Sequence, residues 1–491
     1  MRSLLRRRPR LTRLSPVARA RGRVRPAKDR RVGPRFEVVA RTRPFEVLSQ
    51  GFVALEERPG PVQGRARSDY SPPAPYTTVE VTIDEALGTV VAGLTSDDGA
   101  HLLGFYDPVA GRVGLELRAR GTTTVIAQRR VRGRVRRMAF VLCETKPTVL
   151  VDTGRGWRPA AHGGHRVAPR TDFRVPEVLA RYKATWGSRG ATSEIGLVRA
   201  GLFGMAGLRD LHLVQHADGS AYVEDGRMFL TATCAGLGFF RQAHWGVFAF
   251  DPAVLGRGAV ELEQTAHVFS RRDGKIFGDH AGQLVRDGDR WLVAVSSWGD
   301  FSPQRGVHIH HTASDEDLLH GVHVLDTELT SMPTERGGHY DPGMTRIDGR
   351  WHVSYVESVG HQPSRFHPAL AIGPKGAEDW TKGLERVGEA SDLTFCEGPI
   401  LARPDGPDGE WRVLASDGHE RARRYRVFDL SMRHVGDLDA PYGTNLPHPQ
   451  VIDLPDGERV IVTFDGRRYA RRRLAYGTHG DVVVMRARHG S

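Results

Sequence analysis

The sequence predicts an all-β chain, an N-terminal jelly-roll-like β-sandwich followed by a five-bladed β-propeller, and three observations carry that expectation. At 491 residues the chain exceeds what one hydrophobic core usually serves, so two domains are expected. Its front part runs as short alternating segments between Gly and Asp turns, as in "TTVEVTIDEALGTVVAGLTSDDGAHLLGFYDPVAGRVGLELRARG", the pattern of an antiparallel sandwich. From about residue 205 a hairpin pattern repeats five times, and repeats of this length read as propeller blades. The expected organisation is a tail over 1–35, a sandwich over 36–190 and a propeller over 200–491.

The net charge of +12 suggests a nucleic-acid partner until its position is considered. Residues 2–31 hold twelve Arg, Lys28 and Asp29, which accounts for the whole excess. A tail rich in Arg, Pro and Ala reads as disordered, and the balanced body excludes a basic nucleic-acid binder. "LTRLSPVARA" is broken by Arg and Pro, so no signal-peptide core is read there. No span approaches eighteen apolar residues, so no membrane partner is expected. Cys143, Cys234 and Cys396 are too few and too far apart for a disulfide framework or a cysteine zinc site. These features lead to the expectation of a cytoplasmic protein. Oligomeric state is not legible.

Five stretches set the repeat: "HADGSAYVEDGRMFLTATCAG", "GDHAGQLVRDGDRWLVAVSSWGD", "HYDPGMTRIDGRWHVSYVES", "CEGPILARPDGPDGEWRVLASDG" and "PHPQVIDLPDGERVIVTFDG". Each opens on a polar residue, continues as a short strand, turns and returns as a second strand. The leading residues are Asp218, Asp279, Asp341, Glu397 and His448, separated by 61, 62, 56 and 51 residues. In a propeller the innermost strands line one channel, so equivalent positions converge. Aligned on the turns, Asp218 falls in register with Asp341. Two aspartates and a glutamate at blade starts form the carboxylate set that glycosidic cleavage needs: one acid to protonate the leaving oxygen and one carboxylate to activate water or attack. A further negative charge keeps the acid protonated by like-charge repulsion.

These motifs resemble the five-bladed propeller glycosidases, glycoside hydrolase family 43 and its relatives, over residues 205–491. The resemblance implies Asp218 as general base, Asp341 as the residue that tunes the acid, and Glu397, in Glu-Gly-Pro, as general acid. It implies a carbohydrate substrate, an arabinofuranose- or xylose-containing glycan, cleaved with inversion. No cofactor is required for that chemistry. His448 occupies the repeat where the family has a histidine near a channel metal, such as a structural calcium. The first motif reads Asp-Gly where the family has Asp-Pro. Asp279, His280, Trp298 and Tyr340 are the candidate substrate contacts, the last two because aromatic faces suit sugar rings. Two other readings stay open: a retaining fructan-cleaving propeller, whose Asn-Asp-Pro-Asn is missing around Asp218, and a non-catalytic propeller that binds glycan or protein.

Overall fold

A computed structural model describes residues 30–334, 337–361, 364–419, 423–466 and 480–488. Most of the expected tail therefore lies outside the described residues. The chain is all-β with a propeller-like arrangement, and the described strands form six sheets. No helix among the described residues is long and apolar enough to cross a membrane.

The front of the chain is one eleven-stranded sheet. Its spine is the long strand Tyr182–Leu202, which pairs with Tyr76–Glu85 and Thr89–Ser96 as well as with Val53–Glu57 and Gly60–Arg67. A strand of that length serves so many partners only by bending. At Gly187 a Cβ would stand 2.1 Å from the carbonyl oxygen of Gly64, so glycine is required where the two backbones meet. Val81, Leu115, Phe140 and Ala161, from strands across the sheet, share one core. The central strands are buried on both faces, and on the other face Tyr76, Ala139 and Val141 join a second core with Phe269 and Ile276.

Five smaller sheets follow. Their first strands are Leu208–Leu213, His280–Asp287, His339–Ile347, Cys396–Ala402 and Gln450–Asp453. Each pairs antiparallel with the strand that returns from its hairpin. Adjacent sheets share apolar cores around a complete circuit. Val247 and Val293 join the first to the second, Leu292 and Val353 the second to the third. Leu370 and Val413 join the third to the fourth, Leu414 and Ile461 the fourth to the fifth. Leu230 and Val462 close the fifth onto the first.

The amino-terminal segment completes the fifth sheet. Phe36–Thr42, read from sequence as the start of the sandwich, instead pairs with Asp481–Ala487 at the outer edge of the fifth sheet. Arg31–Val32 likewise pairs with His434–Leu438 of the fourth sheet. Arg41 and Arg43 bind the buried carboxylates Asp465 and Asp481 at 2.7 Å. The sequence signal was ambiguous here because "FEVVART" alternates as well for an outer propeller strand as for a sandwich strand.

Candidate functional site

Four of the five innermost strands carry the same irregularity. In each, two residues oppose one on the returning strand: Asp210-Leu211, Ala281-Gly282, Asp341-Pro342 and Gly398-Pro399. The first residue of every pair has a positive φ, +50°, +53°, +51° and +64° in turn. That is a bulge with its first residue in the left-handed region, a conformation costing a non-glycine residue roughly 1–2 kcal/mol. In the fifth sheet His448 stands two residues before Gln450, the first residue paired in the ladder. Asp210, Asp341 and Gly398 hold that same spacing.

This register corrects the sequence alignment. Asp341 stands on its bulge, whereas Glu397 stands one position earlier, in line with Arg209, His280 and Tyr340. Asp218 belongs to neither ring. It is exposed on a turn that it stabilises through bonds from the Ser220 backbone N–H and hydroxyl, and it lines a different pocket together with Trp411 and Asp453. The first-sheet carboxylate that meets Asp341 and Glu397 is Asp210.

Asp210, Asp341 and Glu397 line one cavity of about 420 Å³. Arg209, His280, Trp298 and Tyr340 line it too, with Phe239, Phe240, Phe301, Phe366 and Phe395 as further aromatic wall and Asn445 at one side. His448 is buried beneath, its Nε2 3.7 Å from Asp210 and 3.6 Å from Asp341. His280 Nδ1 stands 4.0 Å from Asp210, and the ring packs parallel to Trp298 at 5.9 Å. The Tyr340 hydroxyl donates to Glu397 at 3.5 Å, and the Gly398 N–H donates to Asp341 at 3.3 Å. A Cβ on Gly398 would lie 2.1 Å from the His448 ring, so the glycine of Glu-Gly-Pro serves both backbone and neighbour.

The carboxyl groups are held in different states. Burial opposes the charge of Asp210, but Arg209, then His448 and His280, outweigh it and keep the carboxyl below its usual range. Glu397 is pushed up to about 8, by burial first and then by the charge of Asp210. Asp341 is also pushed well above the usual range, by burial and then by Glu397 and Asp210. The residue assigned from sequence as the tuning charge is therefore itself disfavoured as a charge, and Asp210 is the carboxyl whose ionised form is favoured. Burial lowers His448 to about 4, leaving it neutral.

Asp279 is not at the cavity. It is fully buried in an ion pair with Arg272 at 2.8 Å and accepts from the Gly299 N–H. That pairing fixes the turn carrying Trp298. The front sheet braces the opposite wall: the Tyr76 hydroxyl donates to the Ala243 carbonyl at 2.9 Å, and Phe240 packs on the core that Tyr76 and Phe203 build. Among the described residues, Glu357, His367 and Glu389 are a trio close enough to share an ion. Arg386 already stands 3.3 and 3.0 Å from its two carboxylates.

No protein-family model and no curated protein matches the chain. Solved structures show a loose likeness. An inulosucrase from Halalkalicoccus jeotgali bound to kestose is 13% identical with a TM-score of 0.41, covering 58% of this chain and 85% of its own. A thermostable family-43 glycoside hydrolase is 13% identical with a TM-score of 0.39, covering 58% and 91%. A Penicillium chrysogenum α-L-arabinanase complexed with arabinobiose is 12% identical with a TM-score of 0.36, covering 84% and 99%.

The bulge register yields a stability test. Gly457 shares the positive φ but faces open space, so Gly457→Ala is expected to cost about 1 kcal/mol. Gly398→Ala adds the clash with His448 and is expected to cost roughly 2–3 kcal/mol or more, read by denaturant unfolding. Equal costs for the two variants would contradict the tight approach of His448.

Proposed function

We propose that the chain is a glycoside hydrolase, built as a five-bladed propeller with the front sheet folded as a sandwich, and that Asp210 and Glu397 carry its chemistry. The observation that supports this most is the unequal pair itself: an ionised carboxylate and a protonated one lining a single aromatic-walled cavity. Glu397 protonates the leaving oxygen, because burial and the Asp210 charge keep its proton in place at neutral pH. Asp210 accepts a proton from the attacking water, because the Arg209 guanidinium favours its ionised form. As the glycosidic bond breaks, positive charge grows on the sugar and the proton leaves Glu397. The negative field of Asp210 stabilises the first change, and the second becomes easier as Asp210 takes the proton of the attacking water and loses its charge.

Asp341 has a different part. Its backbone N–H donates to the Ser296 hydroxyl at 2.9 Å, and its carboxyl accepts from Gly398 N–H. Held neutral, it donates a hydrogen bond to a sugar hydroxyl without adding a second charge beside Asp210. Trp298 and Tyr340 offer ring faces and edges to the sugar, and His280 both contacts substrate and holds Asp210. The substrate class we propose is an arabinofuranose- or xylose-containing glycan, cleaved with inversion by a water on the Asp210 side. A directly ligated ion at His448 does not fit these residues, because the Arg209 guanidinium, 4.0 Å from Asp210, already supplies positive charge there. No step depends on a metal.

A panel of aryl glycosides and plant polysaccharides tests the assignment, with the first-formed anomer read by proton NMR. Asp210→Asn and Glu397→Gln are each expected to lower kcat by about 10²–10⁴-fold. Asp218→Asn is expected to stay within about twofold, as for any exposed surface change. The reverse ranking of Asp210 and Asp218 contradicts the reading.

The pH profile follows from the same states. Glu397 must be protonated to act, so kcat/KM is expected to fall as pH rises through about 8. The acid limb lies below the ordinary aspartate range, where Asp210 gains its proton. In Glu397→Gln the alkaline limb disappears from whatever activity remains.

A further inference from the structure

A second cleft, of about 520 Å³, shares a wall with the cavity. The chain divides them residue by residue. Phe240, Phe301 and Pro303 face the cavity, while Arg241, Asp300, Ser302 and Arg305 face the cleft. Arg174 and Lys275 complete its basic lining, and Asp273 completes the acidic part. Four cations and two carboxylates line the cleft, and Asp172 pairs with two of the cations, which leaves a small positive excess in a body whose charge outside the amino-terminal tail balances to zero.

The cations are positioned rather than loose. Asp172 holds Arg174 at 2.9 Å and Lys275 at 3.2 Å. Asp300 holds Arg305 at 2.5 Å and also takes Arg272 at 2.7 Å. Phe277 lies beneath them, its ring 4.1 Å from Arg272 and 5.5 Å from Arg174. Glu144, buried behind the cleft, stands 3.8 Å from Arg174, and burial pushes its carboxyl well above the usual range. Fixed cations over an aromatic floor, one residue away from the cavity wall, form a site for a sugar ring that carries an anion.

We infer that the basic cleft of Arg174, Arg241, Lys275 and Arg305 is a subsite for an acidic sugar unit, next to the one that occupies the carboxylate cavity. The ligand is a glycan bearing a uronate carboxylate, or a sulfate or phosphate ester. This rests on the glycosidase reading for the idea of a neighbouring subsite, but its binding does not require turnover. A chain leaving the cavity past Phe240 and Phe301 enters the cleft, where its anion replaces water around guanidinium and ammonium groups. Arg241, exposed at the rim, and Lys275 are the substitutable members, since neither supports the Asp279–Arg272 pair.

The test measures binding to the full-length Glu397→Gln variant, so that substrate is not consumed. Four sets of oligosaccharides of matched length serve as probes: polygalacturonate fragments, sulfated dextran fragments, phosphorylated mannan fragments, and neutral arabinan and xylan fragments. At least one acidic set is expected to bind about tenfold or more tightly than the neutral set. Adding Arg241→Ser and Lys275→Ser is expected to erase that preference while neutral affinity and Tm hold. Arg305→Ser, on the facing loop, is expected to weaken the same set. Which acidic set wins identifies the anion. Equal affinity for acidic and neutral sets, or a preference that survives the substitutions, overturns the inference. Acidic binding of this kind, in a wild-type protein that cleaves no glycan on the panel, sinks the hydrolase reading and leaves the cleft assignment standing.

Discussion

A regular β-ladder cannot hold a carboxylate over the end of its own sheet, because pairing turns each side chain toward one face or the other. The site depends on breaking that rule at one place in four of the five innermost strands. The two-for-one bulges at Asp210, Ala281, Asp341 and Gly398 re-aim the backbone at the mouth of the ring. Three of the four put a non-glycine residue at positive φ, a strain that persists only where the surroundings enforce it. The enforcing contacts are visible. Thr233 accepts no freedom at Ala281, whose N–H donates to its hydroxyl at 3.1 Å, and Ser296 holds the Asp341 N–H in the same way.

The second constraint is charge. Three carboxyl groups in one buried cavity are tolerable only if they do not all ionise. Arg209, flattened on the Phe464 ring at 4.4 Å, favours the charge of Asp210, while burial first, and then neighbouring negative charge, pushes the other two carboxyls above their usual range. The arrangement opposes stability. Glu397 has a raised folded-state pKa, so its favourable contribution is complete below its unfolded value and is lost as pH rises through about 8. By then the loss is on the order of 5 kcal/mol. The apolar cores between neighbouring sheets favour the folded state against that cost.

Much of this was legible in the sequence. The all-β class followed from short alternating segments, and Asp341 and Glu397 from unusual residues at strand starts, Asp-Pro and Glu-Gly-Pro. His280, Trp298, Tyr340 and His448 follow from the same repeat, and all gather at or beneath the cavity. Asp210 was missed because its bulge reads Asp-Leu, with no proline or glycine to mark it, and because a longer excursion separates Leu208–Leu213 from its return strand Arg227–Cys234. Aligning on the Asp-Gly turn selected Asp218 instead. Aligning on the start of the apolar strand "LRDLHL" points to Asp210. Asp279 was misread because a strand-leading aspartate and an ion-pair partner of Arg272 look alike until the partner is located in space. Phe366, Phe395 and Asn445 carried no local signal, since their place in the wall depends on which loops converge.

Burial raises the Glu397 pKa first, and the Asp210 charge across the cavity raises it further. Carbon-13 NMR of labelled glutamate carboxyls, with Glu397 assigned by its loss in Glu397→Gln, measures this directly in wild type and in Asp210→Asn. The account predicts a Glu397 titration near 8 in wild type that moves to clearly lower pH when Asp210 is neutralised. A Glu397 carboxyl that titrates in the ordinary glutamate range, or one unmoved by the loss of Asp210, contradicts it.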